Sequence, residues 1–264
     1  MEQVVITGAA SGLGKAMALH WFNAGHRVIL VDLDAAGLTL LSEQLAAQDS
    51  QRVVSHALNL CDEPARERLV AALQQEPGID VLINNAGITH RSLAHDTDPA
   101  VLWKVMAVDW QAPVALTLAC LPMLAKRQGK IINIGSMAGW MPVLGRAGYC
   151  SAKAALGQFF EVLRGEVASQ GVSVLMVYPS FLDTPIEQNA LGKDGKPATH
   201  RRSMAGGMRT AEWMAERVYQ AHCRHQPRLF PDRFTALSSI LWRVWPSLYY
   251  RLMVRRFASE LSAS

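Results

Sequence analysis

Val4-Val5-Ile6-Thr7-Gly8-Ala9-Ala10-Ser11-Gly12-Leu13-Gly14 opens the chain with an apolar triplet, runs into glycines, and continues as a helical pattern through Trp21-Phe22. A strand, a glycine-rich turn and a helix in that order cradle a phosphate. Glycine lets the backbone come close, and the helix start offers unpaired N–H groups and a positive dipole end. The spacing is G-x-x-x-G-x-G rather than G-x-G-x-x-G. A glycine-rich turn alone is often only a tight turn; between a strand and a helix it reads as a dinucleotide site.

Outward from that turn the alternation repeats. Arg27-Val28-Ile29-Leu30-Val31 reads as a second strand closed by Asp32, 18 residues after Gly14. A carboxylate there takes the ribose hydroxyls of NAD and repels a 2′-phosphate, and Leu33 brings no cation to receive one. Asp32 and Asp34 both precede a helical pattern, where either can cap; Asp32 is assigned to the cofactor and Asp34 to the cap. Further strand signals lie at 53–58, 79–83, 131–134, 172–177 and 228–230. Asp62 starts one helix and Thr210 caps another, while a long helix runs from Pro99 to Lys126 with Pro113 and Pro122 as candidate kinks. The pattern predicts an α/β fold, a single-domain Rossmann-like doubly wound parallel sheet over 1–232 with a C-terminal helical extension over 233–264. Residues 186–209, rich in Gly, Lys, Arg and Asp without periodicity, read as a substrate loop.

The chemistry concentrates between Ser136 and Lys153. Tyr149 and Lys153 are four apart and share one helix face. An ammonium beside a phenol favours the phenolate, and a tyrosine tuned below its free value of ~10 can serve as acid or base. Ser136 follows the strand at 131–134, where an open sheet places its ligands. Tyr-x-x-x-Lys by itself is common on surface helices, so its meaning comes from its neighbours. One of them, Asn84-Asn85-Ala86-Gly87, either holds a backbone against a flat ligand or is an Asn–Gly turn.

Half of the 264 residues are hydrophobic, enough for a substantial core. The four cysteines show neither close pairing nor metal-ligand spacing, which points to reduced thiols in the cytoplasm and to no metal site. The N-terminus lacks a signal-peptide pattern, and no 18 consecutive residues are apolar, so no spanning helix is expected. Residues 1–192 hold 13 Lys/Arg and 17 Asp/Glu, whereas 193–264 hold 13 Lys/Arg and 5 Asp/Glu. The last quarter, at +8, suits an anionic or amphiphilic partner. Within it Leu237, Leu241, Val244, Trp245, Leu248 and Leu252 recur at helical spacing, broken by Pro246, with Arg251 and Arg255 on the other side. Two readings stand: a helix lying peripherally in a membrane interface, or one packed on its own domain or a partner subunit. Nucleic acid is set aside, since no reading motif accompanies the basic residues.

Taken together, residues 4 to about 231 resemble the short-chain dehydrogenase/reductase family. The resemblance rests on Thr7-Gly8-x-x-x-Gly12-x-Gly14, Asp32, Asn84-Asn85-Ala86-Gly87, Ser136, Tyr149-x-x-x-Lys153 and Pro179, with the family's 13-residue separation of Ser136 from Tyr149. It implies that Tyr149 is general acid in carbonyl reduction and base in alcohol oxidation. Lys153 would tune it and bond the nicotinamide ribose, and Ser136 would orient the substrate oxygen. Cofactor contacts would come from Gly8, Ser11, Gly12, Leu13, Gly14, Asp32, Asn59, Leu60, Asn85, Ala86, Gly87, Pro179, Leu182 and Thr184, with NAD preferred to NADP. Asn59 stands where the family usually has an adenine-contacting Asp, and Ser180 where it usually has Gly. Asp109 stands where many members carry an Asn that supports a proton relay to Lys153. The loop and tail are similar to the microsomal reductase and 11-beta-hydroxysteroid dehydrogenase-like subgroup, which implies lipid-like or steroid-like alcohols and ketones. A homodimer or homotetramer is expected.

The first function is therefore an oxidoreductase interconverting a secondary alcohol and a ketone. The alternative is a dinucleotide-binding regulator with impaired chemistry, with Asp109 as its warning sign. A nucleotide-sugar epimerase or dehydratase would use the same Tyr and Lys, but the C-terminal portion leaves little room for a sugar-nucleotide domain.

Overall fold

The computed structural model describes residues 1–198 and 207–258. Its strands are β1 (Gln3–Thr7), β2 (Arg27–Asp32), β3 (Val53–Ala57), β4 (Val81–Asn84), β5 (Lys130–Ile134), β6 (Ser173–Val177), β7 (Leu182–Asp183), β8 (Arg209–Thr210) and β9 (Arg228–Leu229). The α-helices are α1 (Gly12–Asn23), α2 (Ala35–Asp49), α3 (Glu63–Gln74), α4 (Pro99–Met106), α5 (Ala112–Arg127), α6 (Ala147–Glu166), α7 (Ala211–Cys223), α8 (Arg233–Val244) and α9 (Pro246–Arg256). A seven-stranded sheet runs in the order β3-β2-β1-β4-β5-β6-β9, every pair parallel, and β7 and β8 pair separately.

Successive side chains on a strand point to opposite faces, and here both faces are buried. Val4, Ile6, Val28 and Leu30 join one core layer with residues of α1, α2 and α7. Val5, Ile29 and Val31 join the other with residues of α3, α5 and α6. Helices on both faces explain why the strands are continuous apolar runs rather than alternating ones. Trp21 of α1 is fully buried, so truncation to alanine should cost about 3–5 kcal/mol. The doubly wound architecture agrees with the sequence expectation.

β1 has β2 on one side and β4 on the other. The winding reverses between β1 and β4, and a crevice therefore opens beyond their C-terminal ends.

One local expectation is corrected. The long helix is broken not at a proline but at a π segment, Ala107–Gln111, where the Ala112 N–H reaches back to the Ala107 carbonyl. Pro113 has no N–H to offer the carbonyl four residues before it, which accounts for the widened turn one step upstream. The helical run Pro99–Arg127 is long and apolar enough to cross a bilayer by length and composition, although no 18 successive residues are apolar. In this fold it lies against the sheet through Leu116, Cys120 and Leu124. Within the described part of the expected substrate loop 186–209, isolated bridges join His90 to Leu191 and Leu191 to Pro197; its residues 199–206 lie outside the described residues.

Candidate active site

The turn after β1 is shaped by glycine where glycine is required. Gly8 has φ +66, and a Cβ there would press on the Ala86 Cα at 2.8 Å. A Cβ on Gly14 would stand 1.8 Å from the Gly8 carbonyl oxygen. Gly14 is thus buried in helix–strand packing and does not line the crevice, whereas Gly8, Ser11, Gly12 and Leu13 do. Ser11 precedes α1 without a side-chain cap bond. Among the described residues no side chain accepts from the first-turn N–H groups of α1, as an anion site requires.

Asp32 ends β2 with both oxygens held by backbone: Oδ2 accepts from Ala10 N–H at 2.8 Å and Oδ1 from Asp34 N–H at 2.9 Å. Asp34, not Asp32, caps α2 by accepting from Gly37 N–H. Leu33 is 71% exposed at the crevice rim. Asn59 and Leu60 line the same end; the Asn59 amide oxygen accepts from Cys61 N–H at 3.0 Å. Asn85 donates to the Thr7 and Gly8 carbonyls at 3.0 and 3.2 Å, which ties the β4 turn to the β1 turn. Glycine turn, unpaired N–H groups and Asp32 together fit a dinucleotide.

A single cavity of about 1250 Å³ joins these residues to Gly87, Ser136, Tyr149, Lys153, Pro179, Leu182 and Thr184. Ser136 Oγ accepts from Ala138 N–H at 3.1 Å, which fixes the hydroxyl at the exit of β5. Lys153 Nζ donates to the Ile134 carbonyl at 3.1 Å and lies 5.8 Å from the Tyr149 ring centre. Asp109, at the centre of the π segment, is 0% exposed, and its Oδ2 is 3.1 Å from Lys153 Nζ. Its Oδ1 accepts from Ile88 N–H at 2.8 Å. Gly87 leaves room for the pair, since a Cβ there would meet both Asp109 Oδ2 and Lys153 Nζ within 3.4 Å.

Electrostatics at this pair pull in two directions. Burial opposes the charge of Lys153, but the nearby Asp109 and Tyr149 outweigh it and hold the ammonium above its usual range. Burial pushes the Asp109 carboxyl up against the pull of Lys153. The two directions disagree about the proton. Each carboxylate oxygen faces a donor, Oδ1 the Ile88 N–H and Oδ2 the Lys153 ammonium, an arrangement that suits the acceptor-only form, so the pair is read as ionised.

Several lining residues carry no motif. Arg146 is buried three residues before Tyr149, its guanidinium donating to Thr89 Oγ1 and the His90 carbonyl at 3.3 and 3.1 Å. Thr89 and Ile88 line the cavity directly after the Asn-Asn-Ala-Gly turn, so adjacency was the one signal that could have found them. Where glycine was expected, Ser180 donates to Asp232 at 3.1 Å, and Asp232 with Thr235 forms a capping box that starts α8.

The C-terminal extension folds back on its own domain. Leu241, Tyr249, Leu252, Met253 and Phe257 line the cavity, and the Tyr249 hydroxyl donates to the Pro142 carbonyl at 3.0 Å. Of the two sequence readings, packing on the domain describes the inner face of α8 and α9.

Comparison with known proteins adds a second line of evidence. The short chain dehydrogenase family model matches residues 2–194. Dehydrogenase/reductase SDR family member 7B of Bos taurus is 34% identical over 265 residues, covering 97% of this chain and 82% of its own. The SDR family protein 7-like of Drosophila melanogaster is 34% identical over 260 residues, 96% of this chain and 79% of its own. A solved short-chain dehydrogenase from Streptomyces avermitilis superposes with a TM-score of 0.80 at 27% identity, covering 97% of this chain and 98% of that one.

Proposed function

Since the chain belongs to the short-chain dehydrogenase/reductase family and is an oxidoreductase, we propose that it interconverts a secondary alcohol and a ketone with NAD preferred to NADP. The observation that supports this most is Lys153, held between Asp109 and the Ile134 carbonyl beside Tyr149, in one cavity with Ser136 and the glycine turn. When bound, the dinucleotide supplies or accepts the hydride. Tyr149 moves the proton at the substrate oxygen, giving it to a developing alkoxide in reduction and taking it from the alcohol in oxidation. Ser136 donates a hydrogen bond to the same oxygen. Lys153 keeps a positive charge beside the phenol and so lowers the cost of the phenolate. The cofactor preference follows from charge. Asp32 repels a 2′-phosphate, Leu33 offers no counter-charge, and the Thr7–Gly14 turn contains neither Lys nor Arg.

The cavity wall from α8 and α9 is mainly apolar, which favours a lipid-like or steroid-like substrate. A cytoplasmic homo-oligomer is the assembly that accompanies this reading. The test is reduced-cofactor formation from a panel of secondary alcohols. Tyr149→Phe should lose most turnover while binding cofactor with nearly unchanged affinity, whereas Lys153→Ala should damage both. Asp32→Ala should narrow the gap between the two cofactors. A Tyr149→Phe protein with near-normal kcat on its best alcohol would sink the mechanism, and tighter binding of NADPH than NADH would sink the preference.

A further inference from the structure

The inner faces of α8 and α9 wall the cavity, but the outer face of α8 is apolar as well. Leu237, Ile240 and Val244 are 66%, 57% and 78% exposed. Their +3 and +4 spacing puts them on one side of the helix. Thr235 and Ser239, which are buried, mark the opposite side. Trp245 continues the stripe at the corner before Pro246, and Tyr250 is exposed on α9. Leaving three adjacent aliphatic side chains and a tryptophan in water forgoes the stabilisation that burial normally supplies.

We propose that this outer face seats the enzyme on an anionic lipid bilayer, with the substrate cavity directly behind the seated helices. Charge selects this occupant over the alternatives. Residues 233–258 contain Arg233, Arg243, Arg251, Arg255 and Arg256 and no acidic residue. All five arginines are exposed. Acidic headgroups complement that set, while aliphatic side chains and indole enter the acyl boundary. A second copy would not complement it, because a two-fold interface sets the same patch against itself and would bring arginine against arginine. The helix that carries the stripe outward carries Leu241 inward. An apolar ketone dissolved in the bilayer therefore meets the cavity wall one helix diameter away, roughly 10 Å.

Docking is tested without reference to catalysis. Wild-type protein is mixed with phosphatidylcholine vesicles containing about 30% phosphatidylserine and floated on a density gradient. It should float with these vesicles, stay in the dense fraction with pure phosphatidylcholine, and be released by about 0.5 M salt. The Leu237→Ser/Ile240→Ser/Val244→Ser variant, altered only at exposed positions, should bind about tenfold or more weakly. Its circular dichroism and melting should match wild type. Tyr149→Phe should float as wild type does, which separates this result from the chemical reading. The kinetic arm rests on the proposed reaction. For a ketone that partitions into the vesicles the triple variant should show a raised KM, and for a water-soluble ketone an unchanged kcat/KM. Equal flotation of wild type and triple variant, or equal binding to neutral and anionic vesicles, overturns the proposal. So does a triple variant that loses its oligomeric state while the wild type ignores vesicles, since the face would then belong to a second copy.

Discussion

Replacing Asp109 by asparagine removes one buried negative charge and almost no volume. The carboxylate lies 3.1 Å from Lys153 Nζ, which in turn lies 5.8 Å from the Tyr149 ring centre. Asp109 is therefore within about 9 Å of that ring. At an effective dielectric of ~20, a unit charge at that distance opposes the phenolate by roughly 2 kcal/mol, a little over one pKa unit. In alcohol oxidation Tyr149 acts as the base, so activity rises with pH as the phenol ionises. Removing the like charge lowers its working pKa, and the Asp109→Asn profile should move about one pH unit towards acid. Lys153 loses the carboxylate that, with Tyr149, holds its pKa up against burial. The assay is kcat/KM against pH for one secondary alcohol, which reports the free enzyme's groups. The same variant should lose stability, because the asparagine offers one oxygen where Lys153 and Ile88 N–H each now have one. Breaking a buried pair from one side costs roughly 3 kcal/mol, readable in urea unfolding. An unmoved profile, or a shift towards alkaline pH, would refute the electrostatic argument. Wild type inactive on every alcohol but rescued by Asp109→Asn would instead favour the regulator reading.

The remaining predictions concern the scaffold. Burial, with Arg146 adding to it, lowers the His90 pKa to about 4, and neither ring nitrogen has a partner among the described residues. The folded pKa is below the unfolded value of ~6.5, so the unfolded chain binds the proton first and stability should fall by roughly 3 kcal/mol as pH drops from ~6.5 to ~4. Urea midpoints at the two ends should show this, and His90→Phe should flatten the difference; an equally steep loss in that variant would assign the acid sensitivity elsewhere. Gly14→Ala should be destabilising beyond ~3 kcal/mol, since its methyl would overlap the Gly8 carbonyl. Gly165→Ala, at an exposed helical position with nothing within 4 Å, should stabilise by about 0.5–1 kcal/mol. Calorimetric melting of the two variants in parallel checks both signs, and similar melting temperatures would show the close approach at Gly14 to be relieved by backbone movement.

Much of the fold could be read in one dimension, because its signals are local. Short apolar runs at Val4–Ile6, Val28–Val31 and Ile131–Ile134 make strands wherever both faces are covered. Gly8 and Gly12 mark backbone that needs positive φ, and Tyr149 and Lys153 meet on one helix face through spacing alone. Asp34 and Thr210 cap their helices from chemistry within three residues. Distant pairings were beyond that reach. That Asp109 touches Lys153 depends on a π segment placing one helix against another 44 residues later in the chain. That Arg146 is buried beside Thr89 depends on loops meeting over the ends of β4 and β5. The division of Gly12 from Gly14, one on the cavity and the other in the packing behind it, follows from which side of a single helical turn faces the crevice. The tail shows the limit most plainly. Its spacing announces an amphipathic helix, but α8 is apolar on two sides, and only the folded domain settles which side is covered. Periodicity records the direction in which side chains point, whereas burial depends on what the rest of the chain brings to meet them.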